Sequence, residues 1–212
     1  MSTSSLGGSR HYVTFIDDYT RYTTVYFLKT KDEVLAKFKE FHNFTINHTG
    51  KQIQTLRTDN GGEYCSKAFD TYLKENGITH QLTVPYNPAQ NGVAERMNRT
   101  VVESARSMLS HSNVPDEFWA EAVNTTVYLR NRSPTTALDG ITPYECLFDQ
   151  KPDVANLRVF AMDAFRTFMF LTTSEQSLMQ IRKRSYLLDI LIIRKVINYM
   201  IQFLANLSEV EM

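Results

Sequence analysis

The sequence predicts an α/β layered domain, and three observations carry that expectation. Segments 11–17 and 22–29 are rich in Tyr, Val, Thr, Phe and Ile and are parted by the polar run Asp17-Asp18-Tyr19-Thr20-Arg21, which reads as a β-hairpin. Short strand-like runs then alternate with longer segments whose apolar residues recur every three or four positions, the mark of amphipathic helices. A length of 212 residues with 42% hydrophobic content suits one good-sized core.

Met1 to Ser9 holds Ser, Thr and Gly with hardly any apolar side chain, so residues 1–10 are expected to be a flexible N-terminus. After the hairpin, Thr30-Lys31-Asp32-Glu33 fits a capping box, and Val34, Phe38, Phe41 and Thr45, with Leu35 beside them, give a helix over about 31–47 that Gly50 ends. The alternation Ile53, Thr55, Leu56 makes the next strand, which delivers Asp59 at its end before the turn Asn60-Gly61-Gly62. Ser66 is placed to cap a second helix with Phe69, Tyr72 and Leu73 on its apolar face, stopped by Asn76-Gly77, and 78–83 alternates again as a strand.

The loop from Val84 to Gly92 leads into a helix expected to open near Gly92, with Glu95 two residues inside it. Helical spacing gathers Val93, Met97, Val101, Ala105 and Met108 into one stripe and puts Glu95, Asn98, Arg99, Glu103 and Arg106 opposite, with only Val102 interrupting the polar face. Pro115-Asp116-Glu117 starts a further helix carrying Phe118, Trp119, Ala122, Val123, Thr126 and Leu129, closed by Ser133-Pro134, and Thr142-Pro143 opens a short turn through Leu147.

Formal net charge is zero, so nothing global advertises a polyanion partner, and any nucleic-acid contact must be local. Cys65 and Cys146 lack zinc-ligand spacing and read as reduced thiols; with no apolar leader at the start, an intracellular protein is expected. His11, His42, His48, His80 and His111 show no pairing pattern and read as surface or core residues.

An isolated Asp-Asn-Gly-Gly is ordinarily a solvated turn. Here Thr58-Asp59-Asn60-Gly61 is followed, with 35 residues between Asp59 and the next acid, by Glu95 inside Tyr86-Asn87-Pro88 and Gly92-Val93-Ala94-Glu95-Arg96-Met97-Asn98. That wording, with Tyr12-Val13-Thr14-Phe15-Ile16-Asp17-Asp18 and Asp59-Asn60-Gly61-Gly62-Glu63-Tyr64, resembles the catalytic core of retroviral and retrotransposon integrases, most of all the copia type. The resemblance runs from about Leu6 to Phe160, so residues 11–160 are expected to be the core and 161–212 a divergent tail.

The resemblance implies an RNase H-like mixed β-sheet flanked by helices, with DNA as partner, a possible homo-oligomer, no membrane association, and nuclear location when acting on DNA. It also implies Mg²⁺ or Mn²⁺ held by acids, of which Asp59 and Glu95 match the second and third. The family's first acid lies on a strand ahead of the Tyr12 strand, so the resemblance implies a core truncated at its N-terminus, with its first strand missing and inactive for that reason. Asp17 and Asp18 match the hairpin turn one strand later. For DNA contact the resemblance and the chemistry of the side chains offer Tyr86, Asn87, Gln90 and Asn91 on the loop and Asn98 and Arg99 one turn past Glu95.

Two rival readings stay open: a non-catalytic remnant that keeps DNA or protein binding on the Glu95 face, and a general RNase H-type nuclease. In the tail, Arg182-Lys183-Arg184 precedes a greasy run over 186–207 broken by Asp189, Arg194, Lys195 and Asn198, whose charges argue against a membrane span. That tail is expected to pack poorly on the domain.

Overall fold

The computed structural model describes residues 1–83, 88–112, 114–155, 157 and 160, with the backbone alone described for 88–91. The tail expected over 161–212 lies outside the described residues. In chain order the elements are β1 (His11–Ile16), β2 (Thr23–Leu28), α1 (Val34–Thr49), β3 (Thr55–Thr58), α2 (Lys67–Glu75), β4 (Thr79–Leu82), α3 (Pro88–Ser112), α4 (Trp119–Arg132) and α5 (Pro143–Phe148).

β1 and β2 are antiparallel, with Tyr12 opposite Phe27 and Thr14 opposite Val25, whereas β3 and β4 run parallel, with Leu56 opposite His80. Both kinds of pairing are present, as a mixed sheet requires, but among the described residues they form two separate two-stranded pieces. Side-chain packing joins them. The period of two turns Val13, Phe15 and Leu28 toward a core shared with Phe38 of α1, Phe69 and Leu73 of α2, and Ile78. Tyr12, Val25 and Phe27 pack on the opposite core, built from Val101 and Ala105 of α3 and from Trp119, Val123 and Val127 of α4. The hairpin is thus the middle layer of a helix-sheet-helix sandwich.

The inner aromatic packing is dense: Phe15 stacks on Phe41 at 4.8 Å and meets Phe38 edge-on at 5.6 Å, and Phe38 stacks on Phe69 at 5.5 Å. On the other side Asn131 of α4 closes a reciprocal pair with Thr23, taking its amide at 2.9 Å and donating to its carbonyl at 2.7 Å. This satisfies the backbone of the first residue of β2 on the side turned away from β1, where among the described residues no further strand lies.

Several local expectations need correction. Thr30 makes no side-chain cap; a 3-10 turn over Lys31–Glu33 precedes α1, and Glu33 reaches back to the Lys29 amide at 2.9 Å instead. Gly50 does end α1, in the left-handed conformation that glycine adopts without a Cβ clash. The capping box forms at α5, where Thr142 and Glu145 bond each other's backbone amides at 3.0 and 2.9 Å. The opening segment has no helix or strand but is tied down: Ser5 is buried, Leu6 donates to the Glu117 carbonyl at 3.1 Å, and the Trp119 indole donates to the Thr3 carbonyl at 3.1 Å. Hydrogen bonding to the start of α4 replaces the missing apolar side chains as its anchor.

Candidate metal and nucleic-acid site

Asp59 follows the last residue of β3 and is exposed. Its local backbone is held from both sides. Thr58, buried, donates its hydroxyl to the Asp59 carbonyl at 3.0 Å and lies 2.9 Å from His80 Nε2 across the parallel pair. A hydroxyl has a single hydrogen, so the bond to the carbonyl assigns the His80 contact as Nε2–H donating to Thr58 Oγ1. The Asp59 carboxylate accepts the Gly61 amide at 3.1 Å through Oδ1.

Glu95 is exposed on α3, about two turns inside the helix and not two residues inside it. The helix opens earlier than Gly92 because Pro88, with its fixed φ and no amide hydrogen, suits the first helical position. Gly92 is accommodated within the helix, and the Arg96 guanidinium lies 3.2 Å from where a Cβ on Gly92 would stand. Gln90 and Asn91, expected on the loop, therefore belong to the first turns of α3, and their side chains lie outside the described residues, as do Tyr86 and Asn87 entirely. Asn98 and Arg99 are exposed beside Glu95, and Asn98 Oδ1 accepts the Thr14 hydroxyl of β1 at 3.1 Å.

The opposed stripe is buried at Val101, Ala105 and Leu109 but only half-buried at Val93, Met97 and Met108. Met97 falls short of full burial because it borders a small cavity at the end of α4.

Asp17 and Asp18 are committed elsewhere. Asp17 Oδ2 accepts the Thr20 amide at 2.8 Å and the Thr20 hydroxyl at 2.6 Å, and Asp18 pairs with Arg21 at 2.6 Å. Both carboxylates thus close the hairpin turn. Among the described residues no group of three His, Cys, Asp or Glu side chains is arranged to hold a metal ion.

Two residues of the Asp59 motif to which the sequence assigns no role, Glu63 and Tyr64, also belong to this surface. A Cβ on Gly61 would stand 3.0 Å from Asp59 Oδ1 and 3.0 Å from Glu63 Oε2, so the two carboxylates flank the same bare α-carbon. Burial, and then the charges of Asp59 and Glu63, push the Tyr64 phenol up to about 12. The only signal for this was the Gly-Gly turn, which allows the chain to fold its two acids toward one point. Of the histidines, His42 is buried against the Tyr72 hydroxyl at 2.9 Å and its pKa is lowered by that burial.

Residues 3–88 match the family model described as "Integrase core domain". The chain is 47% identical over 165 residues to the retrovirus-related Pol polyprotein from transposon TNT 1-94 of Nicotiana tabacum, covering 78% of this chain and 12% of that protein. It is 40% identical over 156 residues to the Pol polyprotein from transposon RE2 of Arabidopsis thaliana, covering 74% of this chain and 11% of that one. The chain thus spans about an eighth of the length of the curated relatives it matches. Its fold is similar to a chain of the simian T-cell lymphotropic virus intasome, solved in complex with PP2A regulatory subunit B56 gamma, with a TM-score of 0.54 at 22% identity over 67% of this chain and 50% of that one. It is similar also to the catalytic core domain of BIV integrase, with a TM-score of 0.50 at 19% identity over 65% of this chain and 85% of that one. The layered α/β architecture, the Asp59 strand end, the Glu95 helix and these likenesses together make the chain a member of the integrase core family, in the form carried by retrotransposon Pol polyproteins.

Proposed function

We propose that this chain is the core of a retrotransposon integrase that acts on DNA, with Asp59 and Glu95 as its metal-holding acids. The observation that carries the reading is that both carboxylates are exposed on rigid elements, Asp59 beside a backbone locked by Thr58 and His80, and Glu95 on the solvent face of α3. Their donor chemistry fits Mg²⁺ or Mn²⁺, since hard carboxylate oxygens, waters and substrate phosphates are what Mg²⁺ takes. A bound ion of this kind polarises a phosphoryl oxygen and activates a hydroxyl for in-line displacement. The chain's own residues position: Asp59 and Glu95 anchor, while Asn98 and Arg99, one turn on, are placed to meet backbone phosphates.

Tyr86, Asn87, Gln90 and Asn91, on either side of the start of α3, are the further DNA contacts of this reading. Assembly into a homo-oligomer on DNA and nuclear action belong to the same proposal. Among the described residues no helix is long and apolar enough to cross a membrane.

The test is a strand-transfer assay with labelled duplex ends. Asp59 and Glu95 by themselves are expected to support DNA binding without joining, because two carboxylates do not offset the mutual repulsion of two divalent ions. Fusing a strand bearing an Asp ahead of Ser2 should produce joining that Asp59→Asn and Glu95→Gln abolish. Joining by the fused protein that survives both substitutions defeats the assignment, and cutting without joining favours the nuclease reading.

A further inference from the structure

At the end of the α3–α4 pair, where the β1–β2 turn meets α5, lies a cavity of about 70 Å³ lined by Arg21, Met97, Arg130, Ser133, Thr135 and Pro143, among others. One water needs roughly 10–15 Å³ of such space, so the cavity has room for a tetrahedral oxyanion. Two of its walls are cationic, and each is held there at a cost. Arg130 Nε is buried, and among the described residues it has no hydrogen-bond partner and its guanidinium no carboxylate. Partial burial lowers the pKa of Arg130, whose Nε is withdrawn from water while the residue as a whole stays half-buried.

Arg21 adopts a φ of 59°, the left-handed region that a side chain bearing a Cβ enters only against a steric penalty. The turn holds it there through its amide bond to the Asp17 carbonyl at 2.9 Å. One Nη of Arg21 is taken by Asp18, whose side chain is 72% exposed and does not line the cavity, so other guanidinium hydrogens stay available. The Thr135 hydroxyl accepts the Ala137 amide at 3.4 Å and keeps its own hydrogen to give, while Ser133 is spent on the Leu129 carbonyl at 2.9 Å.

We propose that this cavity is a phosphate-binding site, with Arg130 and Arg21 supplying charge-assisted donors and Thr135 a third. The planar guanidinium fork matches a phosphate's oxygens, and an anion there would give the unpartnered Nε of Arg130 an acceptor. That the phosphate is one of a DNA backbone rests on the function proposed above; the site itself does not.

The experiment follows the arginine Nε–H signals of the full ¹⁵N-labelled chain by NMR while inorganic phosphate replaces chloride at constant ionic strength. Saturable shifts of the Arg130 and Arg21 signals are expected; the Arg21 response is lost in Arg130→Gln, and the affinity read at Arg130 falls about tenfold in Arg21→Gln, the size of one charged hydrogen bond. Arg21 lies on a partly exposed turn, so its variant keeps the test alive if Arg130→Gln misfolds. A response that chloride reproduces, or one indifferent to Arg21→Gln, overturns the site. Displacement of phosphate by a duplex oligonucleotide identifies the DNA backbone as the source; phosphate binding that the duplex leaves untouched supports a site for free phosphate. Because no step requires strand transfer, failure of the integrase reading leaves this result standing.

Discussion

The Thr14 hydroxyl of β1 bonds Asn98 Oδ1 of α3 at 3.1 Å, across 84 residues of sequence, and so couples the middle layer of the domain to the helix turn that follows Glu95. The bond is neutral and exposed to water, so its loss should hardly affect folding. Asn98→Ala is expected to cost about 0.5–1 kcal/mol, with a coupling of similar size to Thr14→Val in a double-mutant cycle read by urea unfolding. Additive effects would show that the two elements are docked without this contact.

The Asn131–Thr23 pair is a different case because it is buried. Asn131→Ala strands the amide and the carbonyl of Thr23 away from water, and roughly 2–4 kcal/mol of stability should go with them. Asn131→Asp keeps the acceptor but sets a buried carboxylate against the Thr23 carbonyl, and should cost at least as much as alanine in chemical denaturation at neutral pH.

At Gly61 the expected effect is on the site and not on the fold. A methyl there would press against two carboxylate ends that can swing away, so Gly61→Ala should leave the unfolding midpoint nearly unchanged. Displacing Asp59 should nevertheless weaken Mn²⁺ binding in calorimetry several-fold. Equal binding by wild type and Gly61→Ala would remove the link between the turn and the acid.

Alkaline titration probes the buried phenols. Tyr64 and Tyr26 are both raised to about 12 from 10.0, by burial first and then by neighbouring negative charge. The folded state thus holds these protons more tightly than the unfolded chain, whose tyrosines titrate near 10. Stability is at its full value below about pH 10 and falls as the pH climbs toward 12, since there the unfolded state binds fewer protons. Tyr64→Phe should flatten part of that decline, followed by the phenolate absorbance and by unfolding at each pH.

The parts of the fold legible in the sequence are those where period and punctuation agree. The hairpin with its polar turn, the Ser66 cap, the stops at Gly50 and Gly77, and the opposed faces of α3 at Val101 and Glu95 all follow from spacing. The glycine at 92 suggests a helix start there, whereas the backbone opens α3 at Pro88, whose fixed φ suits the first helical position. Thr30 fits a cap by spacing, but a 3-10 turn intervenes and Glu33 accepts the Lys29 amide, one residue before the amide that a box requires. Met97 fits the stripe by period yet borders a cavity, whose lining brings the polar Arg21 and Arg130 in beside Pro134 and Pro143. Contacts of that kind, between residues far apart in sequence, leave no trace in local pattern.

The indole of Trp119 donates to the Thr3 carbonyl while its ring lies against Tyr12 and Phe27. It is the single tryptophan of the chain. Its fluorescence is therefore an unlabelled gauge of one event, the seating of the opening segment on α4: the emission should redden when Thr3 lets go. The same gauge would register anything added ahead of Met1 that pulls that segment off its seat.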